Sequence, residues 1–277
     1  MDERSVVRDD GSVSTIPLAV LPDPDDAEGL QAWTDAIADE APLRLLVDTG
    51  TPRSAVPHVD PFATRPRRLT RGGQGAFGAP AREEMLVQAN TLRTGDLVTR
   101  KLLVQLQPEG WGHPGLLGMD VLGSHRCDFY FDVPRIDLDR VAEPDTAWYQ
   151  LTTAPHHTPK VQVQWDQTSL SAVWDTGAGA TLVDQSWASE HADIVSVHPE
   201  TGRGIDVTGA EASHYWGTMA PCRIGHADFA EQICAVIDFS GINATLASPV
   251  EVVIGLPLIA QASWCMDYPG RRWTLRS

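Results

Sequence analysis

The sequence predicts an all-β protein of two similar small-barrel lobes, with a cleft between them and little helix. Three observations support this prediction. Short runs of alternating apolar and polar residues, such as 161–165 and 233–237, are separated by Gly, Pro and Asp turns. The tripeptide Asp-Thr-Gly occurs twice, at 48–50 and 175–177. The surroundings of the two copies also repeat, over halves of an ordinary domain size.

Both Asp-Thr-Gly copies end an apolar run and are followed by x-x-x-Ser/Thr-apolar-Val, as in residues 45–56 and 172–183. One copy alone would indicate only a strand-to-turn junction, because Asp and Gly are common turn residues. A strand that ends in Asp, with Gly where the backbone turns, would present one carboxylate at a loop tip. Two such loops facing each other would form a carboxylate pair.

Later segments repeat in the same order. An apolar-apolar-Gly element at 115–122 has its counterpart at 252–259. A closing segment with Asp-x-Pro at 128–135 has its counterpart at 264–271. The repeated order indicates a tandem duplication.

The duplication predicts an N-terminal lobe over residues 1–144 and a C-terminal lobe over residues 145–277. The polar, Pro-containing segment 141–146 is the predicted linker. Because both lobes belong to one chain, we expect a monomer.

These residues and motifs resemble the aspartic peptidases. Each half is similar to a retropepsin-like domain, and the pair is similar to the single-chain, bilobal, pepsin-type arrangement. The resemblance implies that Asp48 and Asp175 form a catalytic dyad. It also implies that the neighbouring motif residues support the dyad, with Thr49 and Thr176 buttressing the two loops. The remaining dyad-support residues are Gly50, Thr51, Gly177 and Ala178.

The residue after each motif glycine differs between the halves. A Thr51 hydroxyl could donate to the nearby carboxylate and favour its charged form, whereas Ala178 offers no donor. We therefore expect the shared proton to reside more often on Asp175 and the charge on Asp48, although the pair titrates as a unit.

A Gly-rich segment at 73–78 has the spacing of a dinucleotide-binding loop, but it follows a basic run instead of an apolar strand. The resemblance places it where a flap would close over the cleft. Pepsin-like flaps carry a Tyr, for which Phe77 is a partial substitute. The predicted flap and substrate-binding residues are Gly73, Gly75, Phe77, Gly204 and Arg53. Arg53 could anchor a substrate carboxylate or pair with the acidic surface, and structural pairing is favoured.

Residues 23–41 are predicted to form a helical insertion in the first lobe. Asp residues suit a helix start, and Leu30, Trp33 and Ile37 share an i, i+3, i+7 face. The second half shows no matching pattern before Trp174. A calcium loop is the alternative, but the irregular acidic spacing argues against it. A second helical turn is predicted at 185–190.

Composition restricts the partners. A formal charge of −16 disfavours nucleic acid and anionic membranes, and no apolar stretch approaches the length of a membrane span. The N-terminal residues lack a signal-peptide layout, so we expect a cytoplasmic protein. The nine scattered histidines suggest no metal site, and we expect no cofactor.

Buried thiols are the favoured interpretation of the four cysteines, with disulfides left open for the last three. The cysteines are Cys127, Cys222, Cys234 and Cys265.

Two functions fit these observations. The first is an aspartic endopeptidase-like hydrolase that uses Asp48 and Asp175 to activate water against a peptide bond. The alternative is a non-proteolytic cytoplasmic enzyme on the same fold, performing acid/base chemistry on a small molecule, such as a cyclisation or dehydration in a biosynthetic pathway. A binding module with an inactive cleft is weakest, because both Asp-Thr pairs are intact.

Overall fold

A computed structural model describes residues 13–24, 26, 28–72, 83–112, 115–141, 147–153, 158–205 and 210–276. Strands account for 55% of the described residues and helices for 8%, which confirms the predicted all-β fold with two lobes and minor helix. None of the helices in these ranges is both long enough and apolar enough to span a membrane.

The first half contains eleven strands and one short helix within the described ranges. In chain order they are β1 (Ser14–Pro17), β2 (Ala19–Pro22), β3 (Leu30–Ala38), β4 (Ala41–Val47), β5 (Ala55–Val56), β6 (Arg68–Arg71), β7 (Glu83–Thr94), β8 (Leu97–Leu106), β9 (Gly115–Leu117), α1 (Met119–Leu122), β10 (Arg126–Tyr130) and β11 (Arg135–Leu138).

The second half contains thirteen strands and three short helices among its described residues. They are β12 (Tyr149–Gln150), β13 (Thr152–Thr153), β14 (Pro159–Trp165), β15 (Thr168–Trp174), β16 (Thr181–Asp184), α2 (Gln185–Glu190), β17 (Val195–Ile205), β18 (Glu211–Met219), β19 (Cys222–Ile224), β20 (Ala227–Phe229), β21 (Gln232–Ile237), α3 (Ser240–Asn243), β22 (Val252–Ile254), α4 (Leu256–Ile259), β23 (Ser263–Asp267) and β24 (Arg272–Arg276).

The two halves share one topology. The first-half sheet runs β2-β3-β4-β9-β5-β8-β7-β6, and the second-half sheet runs β17-β18-β21-β16-β22-β15-β14-β19-β20. In the first half, β4 and β5 flank β9, the former parallel and the latter antiparallel. In the second half, β15 and β16 flank β22 in the same senses. Each strand that leads into Asp-Thr-Gly therefore lies beside the strand that leads into apolar-apolar-Gly.

A third sheet joins the halves, in the order β1-β11-β10-β23-β24-β12. At its centre β10 pairs antiparallel with β23, so equivalent strands of the two halves meet. Arg276 donates from one guanidinium nitrogen to both oxygens of the fully buried Asp128, at 2.8 and 2.9 Å. This charge-assisted pair satisfies a carboxylate that burial would otherwise destabilise, and it ties the two halves together.

The predicted helical insertion at 23–41 is wrong, because residues 30–38 form strand β3. The side chains at alternate positions 32, 34, 36 and 38 are buried, which is the two-residue period of a strand. These buried residues are small, Ala and Thr, so the large residues Trp33 and Ile37 dominated the apparent pattern although they lie on the other face. Strand β3 forms a hairpin with β4, as β14 does with β15, so it belongs to the duplicated unit.

Short helix α2 begins at Gln185, where a helical turn was predicted, and the Asp184 side chain caps it by accepting the Trp187 N–H.

All four cysteines are buried and free, so the disulfide alternative is not realised. Burial raises the pKa of Cys222, Cys234 and Cys265 to about 12, which keeps these thiols protonated at neutral pH.

Candidate active site

The two Asp-Thr-Gly loops meet at the interface between the lobes. Asp48 follows β4, and its N–H donates to Leu117 O of β9 at 3.0 Å. Asp175 follows β15, and its N–H donates to Ile254 O of β22 at 3.1 Å. Each aspartate is thus fixed at the end of a core strand by the apolar-apolar-Gly strand beside it.

One backbone N–H links the two carboxylates. The Gly50 N–H donates to Asp48 Oδ1 at 2.9 Å and to Asp175 Oδ1 at 3.0 Å. The two oxygens can therefore be no farther apart than the sum of these distances, about 5.9 Å. This upper limit is close to the span of two hydrogen bonds through one water molecule, so the two carboxylates lie near enough to act together.

Close approach explains why glycine follows each Asp-Thr pair. A Cβ atom on Gly50 would overlap the Asp175 carboxylate, and one on Gly177 would overlap the Asp48 carboxylate. Each glycine therefore leaves room for the acid of the opposite loop.

Thr49 and Thr176 lock the loops together. Thr49 Oγ1 donates to Trp174 O at 3.0 Å and accepts the Thr176 N–H at 3.0 Å. In return, Thr176 Oγ1 donates to Val47 O at 2.7 Å and accepts the Thr49 N–H at 3.2 Å. Both threonines are buried, so these bonds are shielded from water.

Burial raises the pKa of both aspartates. The pKa of Asp48 is raised further by the Asp175 charge beside it. Each carboxylate accepts two backbone N–H groups: Asp48 accepts those of Gly50 and Thr51, and Asp175 accepts those of Gly50 and Gly177. Because the neighbouring Asp175 charge disfavours ionisation of Asp48, this arrangement favours the charge on Asp175 and the proton on Asp48.

That assignment reverses the expectation drawn from the sequence. The Thr51 hydroxyl donates to Arg53 O at 3.3 Å, and only the Thr51 backbone N–H reaches Asp48 Oδ1, at 3.0 Å. The side chain that differs between the motifs is therefore not the group that distinguishes the two acids. The Asp175 charge beside the buried Asp48 does so, and this proximity is invisible in a residue pattern.

The structure describes two of the five predicted flap and substrate-binding residues, Gly204 and Arg53. Gly73, Gly75 and Phe77 lie outside the described residues, in the connection between β6 and β7. Gly204 lies in β17 and pairs with Ala212 of β18, in the second-half hairpin equivalent to β6 and β7. The half-buried Arg53 donates to Leu103 O at 3.5 Å.

Sequence reasoning missed Asp120, the second residue after the Gly of the first apolar-apolar-Gly element. Its Oδ1 accepts the hydroxyl of the buried Ser54 at 2.7 Å. Burial raises the pKa of Asp120, while the Ser54 hydrogen bonds and the nearby Arg53 charge act in the opposite direction. The equivalent residue in the second half is Pro257, so a comparison of the two Gly elements would have revealed this difference.

Comparisons with known proteins show no family for this chain. The sequence matches no protein-family profile and no curated protein sequence. Among solved structures, the chain is similar to basic 7S globulin from soybean, with a TM-score of 0.49 and 10% sequence identity over 95% of this chain and 94% of that chain. At this level of similarity the function must be argued from the residues themselves.

Proposed function

We propose that the protein is an aspartic-peptidase-like hydrolase in which Asp48 and Asp175 activate a water molecule for peptide-bond cleavage. The observation that carries this proposal is the single Gly50 N–H that reaches both carboxylates in a buried interface. Two carboxylates held so close repel each other when both are ionised, so they share one proton. The pair then offers one acid and one base.

The effect of the Asp175 charge on the pKa of Asp48 assigns the two roles. Asp175 is ionised and takes a proton from the water whose oxygen attacks the peptide carbonyl carbon. Protonated Asp48 donates its proton to the carbonyl oxygen, giving a neutral tetrahedral diol. Collapse of the diol breaks the C–N bond: the proton held by Asp175 passes to the leaving nitrogen, and one diol hydroxyl returns its proton to Asp48. No covalent bond forms between protein and substrate.

Apolar side chains beside the dyad indicate the class of peptide. Strand alternation places Leu46 on the side of Asp48 and Val173 on the side of Asp175. Leu46 belongs to a small apolar cluster with Ala55, Leu116 and Trp33. Val173 belongs to another, with partners that include Trp216. These clusters support a substrate with apolar side chains on both sides of the scissile bond.

Both aspartates come from one chain, so the dyad needs no second copy. We therefore propose that the monomer is the working unit. Measurement of turnover against protein concentration tests this point, because a site assembled from two chains would lose specific activity on dilution.

The direct test is cleavage of a peptide library by wild type, Asp48→Asn and Asp175→Asn, with products identified by mass spectrometry. Both substitutions keep the side-chain shape and remove one titrating carboxyl, so each should reduce turnover by about 10²-fold or more. Asp166→Asn is the matched control, because Asp166 is exposed in the turn between β14 and β15. Full activity in both dyad variants would refute the proposal.

A statine-type peptide mimic provides a second test, since its hydroxyl stands in for the attacking water. It should raise the melting temperature of wild type and leave that of Asp175→Asn almost unchanged. If no peptide is cleaved and no such mimic binds, acid/base chemistry on a small molecule replaces peptide hydrolysis as the proposed reaction.

A further inference from the structure

Asp120 lies behind the Asp48 loop, in the first turn of α1. Its Oδ1 accepts both the hydroxyl and the backbone N–H of Ser54, at 2.7 and 2.9 Å. Ser54 Oγ accepts the Gly118 N–H at 3.0 Å. Ser54 is 1% exposed, so these bonds form away from solvent. A carboxylate acceptor makes such bonds stronger than a neutral one would.

The segment 51–54, which contains Ser54, also contacts Asp48. Thr51 O accepts the Met119 N–H at 3.0 Å, and the Thr51 N–H donates to Asp48 Oδ1 at 3.0 Å. Residues 51–54 are therefore held against α1 at both ends. The direction of the Thr51 N–H toward Asp48 depends on how firmly this segment is held.

The second lobe has hydrogen bonds equivalent to those of Ser54 and Thr51, but it has no carboxylate in the place of Asp120. The Gly255 N–H donates to Thr181 Oγ1 at 3.1 Å, and the Leu256 N–H donates to Ala178 O at 2.9 Å. The Thr181 hydroxyl donates to the amide oxygen of Gln232 at 3.3 Å. A carboxylate thus anchors the first loop through two bonds, whereas a neutral amide anchors the second through one longer bond.

We propose that Asp120 is a positioning residue for Asp48, holding Ser54 and thereby the 51–54 segment whose Thr51 N–H stabilises the ionised form of Asp48. This inference rests on the proposed function of the dyad, although Asp120 itself contacts neither dyad acid among the described hydrogen bonds. Its role is to limit how far the pKa of Asp48 rises and to fix the direction of the Asp48 carboxylate.

Steady-state kinetics on a cleaved peptide test the proposal. Asp120→Ala should lower kcat about tenfold or more, with KM within about twofold, because small misplacement of a catalytic group affects chemistry more than binding. Asp120→Asn should recover part of the loss, since its amide oxygen can still accept from Ser54. Gln232→Ala, the second-lobe comparison, should have a smaller effect because it removes one neutral bond.

A second measurement does not need turnover. The carboxyl carbon of Asp48, followed by carbon-13 NMR during a pH titration, should titrate at a higher pH in Asp120→Ala than in wild type, because a backbone donor is displaced. If wild type cleaves no peptide but this shift appears, the positioning role stands and the peptidase proposal alone fails.

The proposal is overturned if folded Asp120→Ala keeps both its kcat and the Asp48 titration of wild type. A lower melting temperature with both readouts unchanged would show a purely structural role and would also overturn it. Should Asp120→Ala fail to fold, Asp120→Asn and Ser54→Ala are judged by the same two readouts, and unchanged values in both again overturn it.

Discussion

Thr49 and Thr176 each accept the backbone N–H of the other through their hydroxyl oxygens, at 3.0 and 3.2 Å. Each hydroxyl also donates to a carbonyl of the opposite loop. The reciprocal bonds fix the loops that carry the two aspartates, so the distance between the acids is set by buried backbone contacts. A rigid pair of this kind is what proton sharing requires.

Replacing Thr49 by Val should therefore destabilise the protein. Valine keeps the shape but leaves Trp174 O and the Thr176 N–H without their partners, and each buried unpaired group costs about 1–3 kcal/mol. Thr49→Ser, which keeps the hydroxyl, is the control. Urea unfolding at pH 7 measures the difference, and equal free energies of unfolding for the two variants would contradict this account.

Gly50→Ala should disrupt the dyad by pushing the loops apart. The added methyl group would overlap the Asp175 carboxylate. Small displacements of a catalytic group can reduce turnover by up to about 10²-fold, so we expect a loss of that size. The adjacent Thr51→Ala keeps its N–H to Asp48 and should lower turnover much less. Comparable turnover for the two variants on the same peptide would show that close approach at Gly50 is unimportant.

Stability should depend on pH through the dyad. The folded pKa of Asp48 is raised by burial and by the Asp175 charge, so the folded protein binds this proton more tightly than the unfolded chain does. The resulting stabilisation is complete below about pH 4, the ordinary pKa of Asp, and is lost as the pH rises through the folded pKa. Wild type should thus lose stability over that range relative to Asp48→Asn.

Melting temperatures measured from pH 4 upward test the direction of this pH dependence. The difference between Asp48→Asn and wild type should grow in favour of the variant as the pH increases, whereas Asp166→Asn should follow wild type. A difference that stays constant with pH, or that grows in favour of wild type, would mean that the pKa of Asp48 is not raised in the folded protein.

The repeated pattern revealed the fold and the pairing of the two aspartates because duplication leaves two copies to compare. Asp48 and Asp175 share the same local sequence and the same strand topology, so alignment of the halves was enough to pair them. Strand β3 was missed because its buried face carries small residues, and the helix-like spacing of Leu30, Trp33 and Ile37 outweighed the two-residue alternation.

The finer electrostatics could not be deduced from residue types. Thr51 carries a hydroxyl, but the local backbone directs it to Arg53 O and leaves the N–H for Asp48. Asp120 was overlooked because its partner Ser54 lies 66 positions away and only the fold brings them together. Both cases depend on hydrogen-bond directions, which the sequence specifies only through the complete tertiary structure.

The most direct test of the dyad is a carbon-13 NMR titration of the Asp48 and Asp175 carboxyl carbons, assigned with the two Asn variants. The structure predicts two separate steps for the coupled pair, with the higher step mainly on Asp48 and well above the ordinary Asp pKa of about 3.9. In Asp175→Asn, the Asp48 step should move down because the neighbouring charge is gone. Two independent steps near pH 4, unaffected by substitution of the other aspartate, would contradict proton sharing and with it the proposed mechanism.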